Sequence, residues 1–134
     1  MPAVAEQIVF PNAQELVIGA LNAALPEGAK AHPAVPIANK VPIGGEFVVV
    51  RILGGVTETF VSAAPLISVE GYAQKRARAY ELVDLALSII RSQDGAIRGA
   101  RGFTYPQELP DPNTRQVRYT STGEVRVRGV ALPS

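Results

Sequence analysis

A cluster of basic side chains, Lys75, Arg76 and Arg78, stands at the predicted start of a long helix. Cations at a helix N-terminus oppose the helix dipole, so a carboxylate close to them would stabilise the arrangement. Two interpretations are open: a solvated turn, or an ion pair between subunits that involves the acidic first half of the chain. Arg76 also falls on the apolar side of the predicted helix, where it must either extend to solvent or meet a carboxylate.

A second group of arginines accompanies the last strand pattern of the sequence: Arg115, Arg118, Arg126 and Arg128. Guanidinium groups in a row on one strand could bind the phosphates of a nucleic acid. No aromatic residue alternates with them on their face, so the stacking platform of single-strand binders is missing. The alternatives are a solvated face whose charge protects a strand edge, and a ring surface that faces protein or DNA.

The other reactive residues form no recognisable catalytic motif. His32, the only histidine, lies in a proline-rich segment without Asp, Glu or Cys at metal-ligand spacing. Cysteine is absent, which removes disulfides, thiolate metal sites and cysteine nucleophiles. Gly44-Gly45 and Gly54-Gly55 lack the downstream Gly, Lys and Ser/Thr pattern of a phosphate-binding loop. We therefore expect a protein that is not an enzyme and that takes no cofactor and no metal.

The composition fits a single domain over residues 1–134. Apolar residues make up 47% of the chain and charged residues 19%, which favours a packed core and excludes a disordered chain. The net charge of +1 gives no overall field that would attract nucleic acid or a membrane. The charges are unevenly placed, because residues 1–70 hold three cations and six Glu, whereas residues 71–134 hold ten cations and six acids. Opposite poles of this kind would suit stacking or ring assembly.

A membrane span needs about 20 consecutive apolar residues, and no run in the sequence approaches that length. The start of the chain also lacks the features of a signal peptide. We expect a soluble protein that is made inside the cell and has no membrane partner.

The first half of the sequence predicts one helix and a hairpin. Residues 1–10 are extended, Asn12 caps a helix that ends at Ala24, and residues 26–45 form a proline-rich connector rather than a regular element. Residues 47–53 read as a strand that is covered on both faces. Gly54-Gly55 then predicts a type I′ turn, after which residues 56–61 return antiparallel.

The break expected at Ala63-Ala64-Pro65 precedes a further strand at 66–69 and a second helix at 74–92. That helix has two apolar stripes. The first is a core stripe of Ala79, Tyr80, Val83, Ala86, Leu87 and Ile90. The second stripe consists of Leu82, Leu85 and Ile89, and it faces either the first helix or another subunit.

The last part of the chain predicts a glycine-interrupted strand at 97–105, a stiff proline turn at 109–114, and a long alternating strand from Val117 to Arg128. Thr122-Gly123 could instead be a hairpin turn within that strand.

Four segments occur in a characteristic order: Phe47-Val-Val-Val-Arg-Ile-Leu-Gly-Gly55, the strand-to-helix segment 66–91, Leu109-Pro-Asp-Pro-Asn-Thr114, and Val117-Arg-Tyr119 through Val125-Arg-Val-Arg-Gly129. In this order the chain resembles the tail terminator proteins of long-tailed, siphovirus-like bacteriophages, especially those of actinobacterial hosts. The similarity covers about residues 10–130 and contains no catalytic signature.

The resemblance implies an α+β fold with two helices packed on a mostly antiparallel, twisted sheet of about four to five strands. It implies a structural virion protein that forms a homohexameric ring on the last ring of the tail tube. Such a ring stops tube polymerisation and presents a docking surface to the stopper or connector proteins of the head. DNA would pass through its central channel without sequence-specific binding. The protein would be made in the host cytoplasm and reside at the head-proximal end of the tail.

In this interpretation the second stripe, Leu82, Leu85 and Ile89, is a candidate lateral interface. The candidate contacts with subunits or partners further include Lys75, Arg76, Arg78, Arg118, Arg126 and Arg128. Two alternatives stay open: a small nucleic-acid-binding domain that uses the Arg-rich last strand, and a related head-completion or tail-tube protein.

Overall fold

The computed structural model describes residues 7–38, 41–42, 44–57 and 62–131, with the backbone alone at 41–42. Two helices are present in this part of the chain, α1 (Ala13–Ala24) and α2 (Arg76–Arg91). The strands, in chain order, are β1 (Ile8–Val9), β2 (Ala31–His32), β3 (Ile37–Ala38), β4 (Val41–Pro42), β5 (Phe47–Thr57), β6 (Ser62–Ala73), β7 (Ile97–Arg101), β8 (Gln107–Glu108), β9 (Val117–Arg128) and β10 (Val130–Ala131).

Six of the strands form one sheet in the order β2-β5-β6-β9-β7, with β8 also paired to β9. Only the pairing of β2 with β5 is parallel. The α+β prediction, with two helices and a mostly antiparallel sheet, is confirmed. The sheet has six strands rather than four to five because β2 and β8 are each two residues long, which is too short to leave an alternating pattern in the sequence. Two further pairs, β1 with β10 and β3 with β4, form small separate sheets.

The turn predicted at Gly54-Gly55 is wrong, because β5 continues through both glycines to Thr57. Gly54 and Gly55 pair with Leu66 and Pro65 of β6, after a bulge that follows Ile52. The connection between β5 and β6, including residues 58–61 of the predicted return strand, lies outside the described residues. The two glycines therefore belong to a bulged strand instead of a turn.

The backbone geometry explains why glycine is needed in the bulged part of β5. Gly55 has a φ of 115°, and a Cβ atom there would lie 2.5 Å from the carbonyl oxygen of Ala64. A left-handed conformation and a close approach of two backbones both exclude other residues at this position.

Pro65 does not end the pairing either, since β6 runs from Ser62 to Ala73 without interruption. Pro65 keeps Gly55 as its partner on β5, while the register with β9 passes from Ala63 to Leu66. The proline therefore interrupts only the hydrogen-bonded pairing with β9. This interruption is expected because proline has no backbone N–H to donate.

The core lies between the two helices and one face of the sheet. The sheet contributes Val48, Val50, Ile67, Val69 and Val125, which are all fully buried. At Gly71 a Cβ atom would lie 2.6 Å from the carbonyl oxygen of Ala79, so the missing side chain lets α2 pack closely on β6.

The ends of both helices agree with the prediction within two residues. The Asn12 side chain accepts a hydrogen bond from the N–H of Glu15 (3.2 Å) and starts α1, which ends at Ala24. The α2 helix runs from Arg76 to Arg91. The predicted core stripe of α2 is buried except at Tyr80, which is half-buried. Among the described residues, neither helix is long and apolar enough to cross a membrane.

The proline-rich segment 26–45 contains regular structure that the sequence did not predict. Ala31 is held by the Asn22 side chain, whose Oδ1 accepts from the Ala31 N–H (2.7 Å), and β2 pairs in parallel with Val48 and Val49. The antiparallel pair of β3 and β4 follows. At the start of the chain, the extended conformation expected for residues 1–10 is present at Ile8–Val9, and residues 1–6 lie outside the described part.

The C-terminal half follows the sequence more closely. The β9 strand has the predicted bounds, Val117–Arg128, and Gly123 pairs with Ile67 in its middle, so Thr122-Gly123 is not a turn. The strand expected at 97–105 ends at Arg101, and residues 102–106 form no strand, although the Thr104 N–H still donates to the carbonyl oxygen of Thr122 in β9 (3.0 Å).

Candidate functional site

The long strand β9 separates most of its arginines from the core, as its alternation predicts. Every second residue from Ser121 to Val127 is buried on the side of the helices, while Arg126 and Arg128 are exposed on the other side. We name this second side of the sheet the polar face. It carries Arg51, Ser68, Glu70, Tyr72, Arg118, Thr120, Thr122, Glu124, Arg126 and Arg128.

Arg118, one of the predicted partner-binding arginines, is occupied within the subunit. Its side chain is only 15% exposed, and Nη1 lies 3.6 Å from a carboxylate oxygen of Glu70. Its Nε donates to the carbonyl oxygen of Leu109 (2.7 Å) and its Nη2 to that of Pro110 (3.3 Å). Arg118 therefore fixes the proline turn onto the sheet instead of facing a partner.

Glu70 is the centre of this network. Its carboxylate accepts from Nε of Arg51 (3.2 Å) and from the Ser68 hydroxyl (3.2 Å). The Tyr72 hydroxyl lies 3.1 Å from Glu70 and 3.0 Å from Asp111, so its single hydrogen is shared between two carboxylates. The positive charges of two guanidinium groups and the negative charges of two carboxylates thus lie close together and balance: Arg51, Arg118, Glu70 and Asp111.

The ionisation of this network follows from its surroundings. Burial and the nearby charge of Glu70 raise the pKa of Tyr72 to about 12, because both disfavour the phenolate. Burial opposes the ionisation of Asp111, but the N–H of Asn113, the Tyr72 hydroxyl and the charge of Arg118 outweigh it and lower the pKa of Asp111. The ring of Tyr72 stacks on Phe47 at 4.7 Å between centroids, so the network is also held by apolar packing.

The basic residues at the start of α2 also find partners within the subunit. Nε of Arg76 lies 3.0 Å from Glu108, and its side chain is 71% exposed. Arg78 pairs with Glu46 (2.8 Å) and with Glu81 (3.3 Å). Lys75 is the exposed N-cap residue and makes no side-chain capping bond. Arg76 therefore reaches solvent, and Arg78 meets Glu46 in the acidic half of its own chain.

The second apolar stripe of α2 requires a correction. Leu82 is fully buried, Ile89 is 9% exposed, and both belong to the core that α1 completes. They cannot form a lateral interface in the folded subunit, because burial removes their side chains from the surface. Leu85 alone remains on the surface, with 37% of its area exposed.

Two arginines of β7 join the exposed arginines of β9, and the sequence did not single them out. Arg98 and Arg101 line a cavity of about 150 Å³ together with Arg126 and Glu124, and Arg101 forms an ion pair with Glu124 (3.0 Å). The arginines become neighbours only through the pairing of β7 with β9. The Arg-Gly-Ala-Arg spacing was the available signal, but its strand partner was not predicted.

Three of the four tyrosines meet at the edge of the helix layer. The ring of Tyr80 lies 5.9 Å from that of Tyr119, edge to face, and 5.9 Å from that of Tyr105. The hydroxyls of Tyr80 and Tyr105 are 3.0 Å apart, and this bond, with burial, raises the pKa of Tyr80 to about 12. Tyr105 is 76% exposed, so the cluster forms part of the surface.

A metal site is not found in the part of the chain that the structure describes, where no three His, Asp or Glu side chains come together. His32 lies edge-on to Phe47, with 6.2 Å between ring centroids, and so packs as part of the fold. No model of a known protein family matches this chain, and no curated protein matches it in sequence.

Proposed function

We propose that this protein is a structural subunit that assembles into a ring, closes the end of a phage tail tube and presents a docking surface to the head connector proteins. The ring would leave a channel for DNA. The proposal rests on the family resemblance of the sequence and on one structural observation, the exposed end of β5.

Residues 52–57 of β5 form what we name the apolar arm. Ile52 is 43% exposed, Leu53 50% and Val56 65%, and none of the six residues is charged. Large apolar side chains at the surface, grouped on one strand, are typical of a surface that another protein covers.

The backbone of the apolar arm is also open on one edge. The β2 strand pairs only with Val48 and Val49, and the Gln14 side chain donates to the carbonyl oxygen of Val50 (2.7 Å). Beyond these residues, no described strand pairs with that edge of β5. Proteins normally protect such an edge with charge, proline or a covering element, and the sequence of the arm provides no charge and no proline.

The partner proposed for the arm is a second copy of the chain. The half of the chain that contains β5 holds three cations against six Glu, and the other half ten cations against six acids. Neighbouring copies that meet through opposite halves would attract each other. A contact between different surfaces of two copies closes into a ring when its rotation allows closure.

The test is native mass spectrometry and light scattering of the full chain from micromolar to millimolar concentration. A ring-former gives one large species whose population grows with concentration, and added tail-tube ends bind it and stop elongating. Val56→Glu should weaken association about tenfold or more, which corresponds to about 1.4 kcal/mol.

Ser88→Glu, on the exposed side of α2, is the matched control and should leave association unchanged. Urea unfolding of both variants shows whether the subunit stays folded. Single copies at every concentration, with tube ends present and unbound, would refute the proposal.

A further inference from the structure

The connection between α2 and β7 contains an aspartate followed by glycine, Asp94-Gly95, and neither residue belongs to a helix or a strand. The Asp94 side chain is 93% exposed, and its contact with Nη1 of Arg98 is long at 3.7 Å. The end of α2 is held more firmly, because the Ser92 hydroxyl donates to the carbonyl oxygen of Ile89 (2.8 Å). The carboxyl group of Asp94 therefore extends into solvent, where it can turn toward the backbone that follows it.

An exposed aspartate followed by glycine can rearrange its own backbone without an enzyme. The main-chain nitrogen of the glycine attacks Cγ of the protonated carboxyl group, so that an N–Cγ bond forms and the bond from Cγ to the hydroxyl breaks. The amide hydrogen and the hydroxyl leave together as water, and a five-membered succinimide ring results. Water then adds to the main-chain carbonyl carbon of the aspartate and breaks its bond to the nitrogen. The product is isoaspartate, whose backbone runs through Cβ and Cγ; its composition is unchanged and no electrons are transferred.

Gly95 provides an accessible nitrogen for this attack. Glycine has no side chain to shield the nitrogen or to restrict the backbone rotation that brings it to Cγ. The Gly95 N–H donates to the carbonyl oxygen of Ile97 (3.2 Å), and this bond must open before the ring can close. Because the bond joins residues only two positions apart, it opens by a local rotation. We therefore expect the reaction in the folded protein to be slower than in a free peptide, but not to stop.

The other two aspartates of the sequence are protected from the same reaction. Asp84 lies within α2, where the N–H of the next residue, Leu85, belongs to the helical hydrogen-bond ladder. Asp111 is followed by Pro112, which has no N–H to lose. Its carboxylate is also held by the N–H of Asn113 (2.9 Å) and by the Tyr72 hydroxyl (3.0 Å). Asparagine forms the same ring, but none of the four asparagines precedes a glycine.

We infer that Asp94 is a site of spontaneous isoaspartate formation in the folded protein. The change would insert a methylene group into the backbone shortly before Ile97, which is buried and pairs with Val127 at the start of β7. It would also shorten the side group that faces Arg98. The site lies within one subunit, so the inference is independent of ring formation.

The experiment stores the folded full-length protein for several weeks in a mildly acidic buffer and then digests it with trypsin. Cleavage after Arg91 and Arg98 releases residues 92–98, which contain Asp94. Liquid chromatography with mass spectrometry should show a second form of this peptide, with the same mass and a different elution time, that increases with storage. Synthetic peptides with aspartate or isoaspartate at this position identify the two forms. Circular dichroism during storage shows that the protein stays folded.

Gly95→Ala is the matched variant. A Cβ atom at Gly95 has no neighbour within 4 Å and its φ is not in the left-handed range, so the variant should fold normally. Its methyl group shields the nitrogen, and conversion should be at least several-fold slower than in the wild type. Asp94→Asn should convert faster than the wild type, because ammonia leaves from the neutral amide without prior protonation of a carboxylate; its product is recognised by the gain in mass.

Three results would overturn the inference. The first is a single form of peptide 92–98 in the stored protein after a time in which the free peptide has converted completely. The second is equal conversion in the wild type and in Gly95→Ala. The third is conversion at Asp84 or Asp111 as fast as at Asp94, since the structure would then not select the site.

Discussion

Arg118 and Glu70 form an ion pair beneath the proline turn, with 3.6 Å between Nη1 and Oε1 and side chains only 15% and 8% exposed. The pair connects two distant parts of the sequence, β6 and the segment 109–118. Because Arg118 also donates to the carbonyl oxygens of Leu109 and Pro110, the turn cannot leave the sheet without exposing or isolating a buried charge.

Arg118→Ala should therefore lower the free energy of unfolding by about 2–3 kcal/mol. Breaking a fully buried ion pair typically costs about 3–5 kcal/mol. The loss here should be somewhat smaller because Arg51 still faces Glu70. Urea unfolding measures the change. Arg76→Ala is the control: its partner is also a glutamate, but its side chain is 71% exposed, so the loss of stability should be much smaller than that of Arg118→Ala. Equal losses in the two variants would contradict the buried role of Arg118.

Gly55→Ala should destabilise the β5–β6 pairing by at least about 2 kcal/mol, because the new methyl group would combine a positive φ with a backbone clash. Gly28→Ala is the comparison, since a Cβ atom there has no neighbour within 4 Å and its φ is not in the left-handed range. We expect that variant to change stability by less than about 1 kcal/mol. Thermal unfolding of both proteins gives the difference.

Leu82→Glu and Leu85→Glu, three residues apart on α2, should distinguish a buried position of the helix from an exposed one. Leu82 is fully buried, so a charge there should prevent folding or leave a loosely packed state. Leu85 is 37% exposed, and its substitution should change the free energy of unfolding by less than about 1 kcal/mol. Near-UV circular dichroism and urea unfolding test both statements, and a folded Leu82→Glu protein would contradict the packing described for α2.

The stability of the protein should fall at alkaline pH through Tyr72. An unfolded tyrosine ionises near pH 10, whereas burial and Glu70 raise the pKa of Tyr72 to about 12. A raised pKa means that the folded state holds the proton more tightly, so this contribution is complete below about pH 10 and is lost between about pH 10 and 12. Tyr72→Phe should show a shallower decline over that interval in urea unfolding, and parallel curves for the two proteins would contradict the assignment.

The elements that the sequence predicted well are those whose pattern is long. The alternation of β9 over twelve residues gives its bounds, its buried side and the exposure of Arg126 and Arg128. The cap at Asn12 gives the start of α1, and the helical period gives α2. Each of these signals is repeated several times within one element, so a single irregular residue does not hide it.

The errors come from residues whose effect depends on a neighbouring strand. Gly54-Gly55 fits a tight turn equally well on its own, and only the pairing with Pro65 and Leu66 shows that it is part of a bulged strand. Leu82 and Ile89 could face another subunit until α1 is placed against them. The position of Arg98 and Arg101 beside Arg126 is of the same kind, because only the register of β7 with β9 brings these side chains together.

The pairing of β1 with β10 has a consequence for how the protein could be labelled. Ile8 lies opposite Ala131 and Val9 opposite Val130, in antiparallel directions. Ile8 and Ala131, at the outer ends of the two strands, are therefore neighbours on the domain although they are far apart in the sequence. In the proposed ring, fluorescent labels placed at position 8 or at position 131 should therefore lie on the same rim, and cross-linking from either position to the tube would report whether that rim touches it.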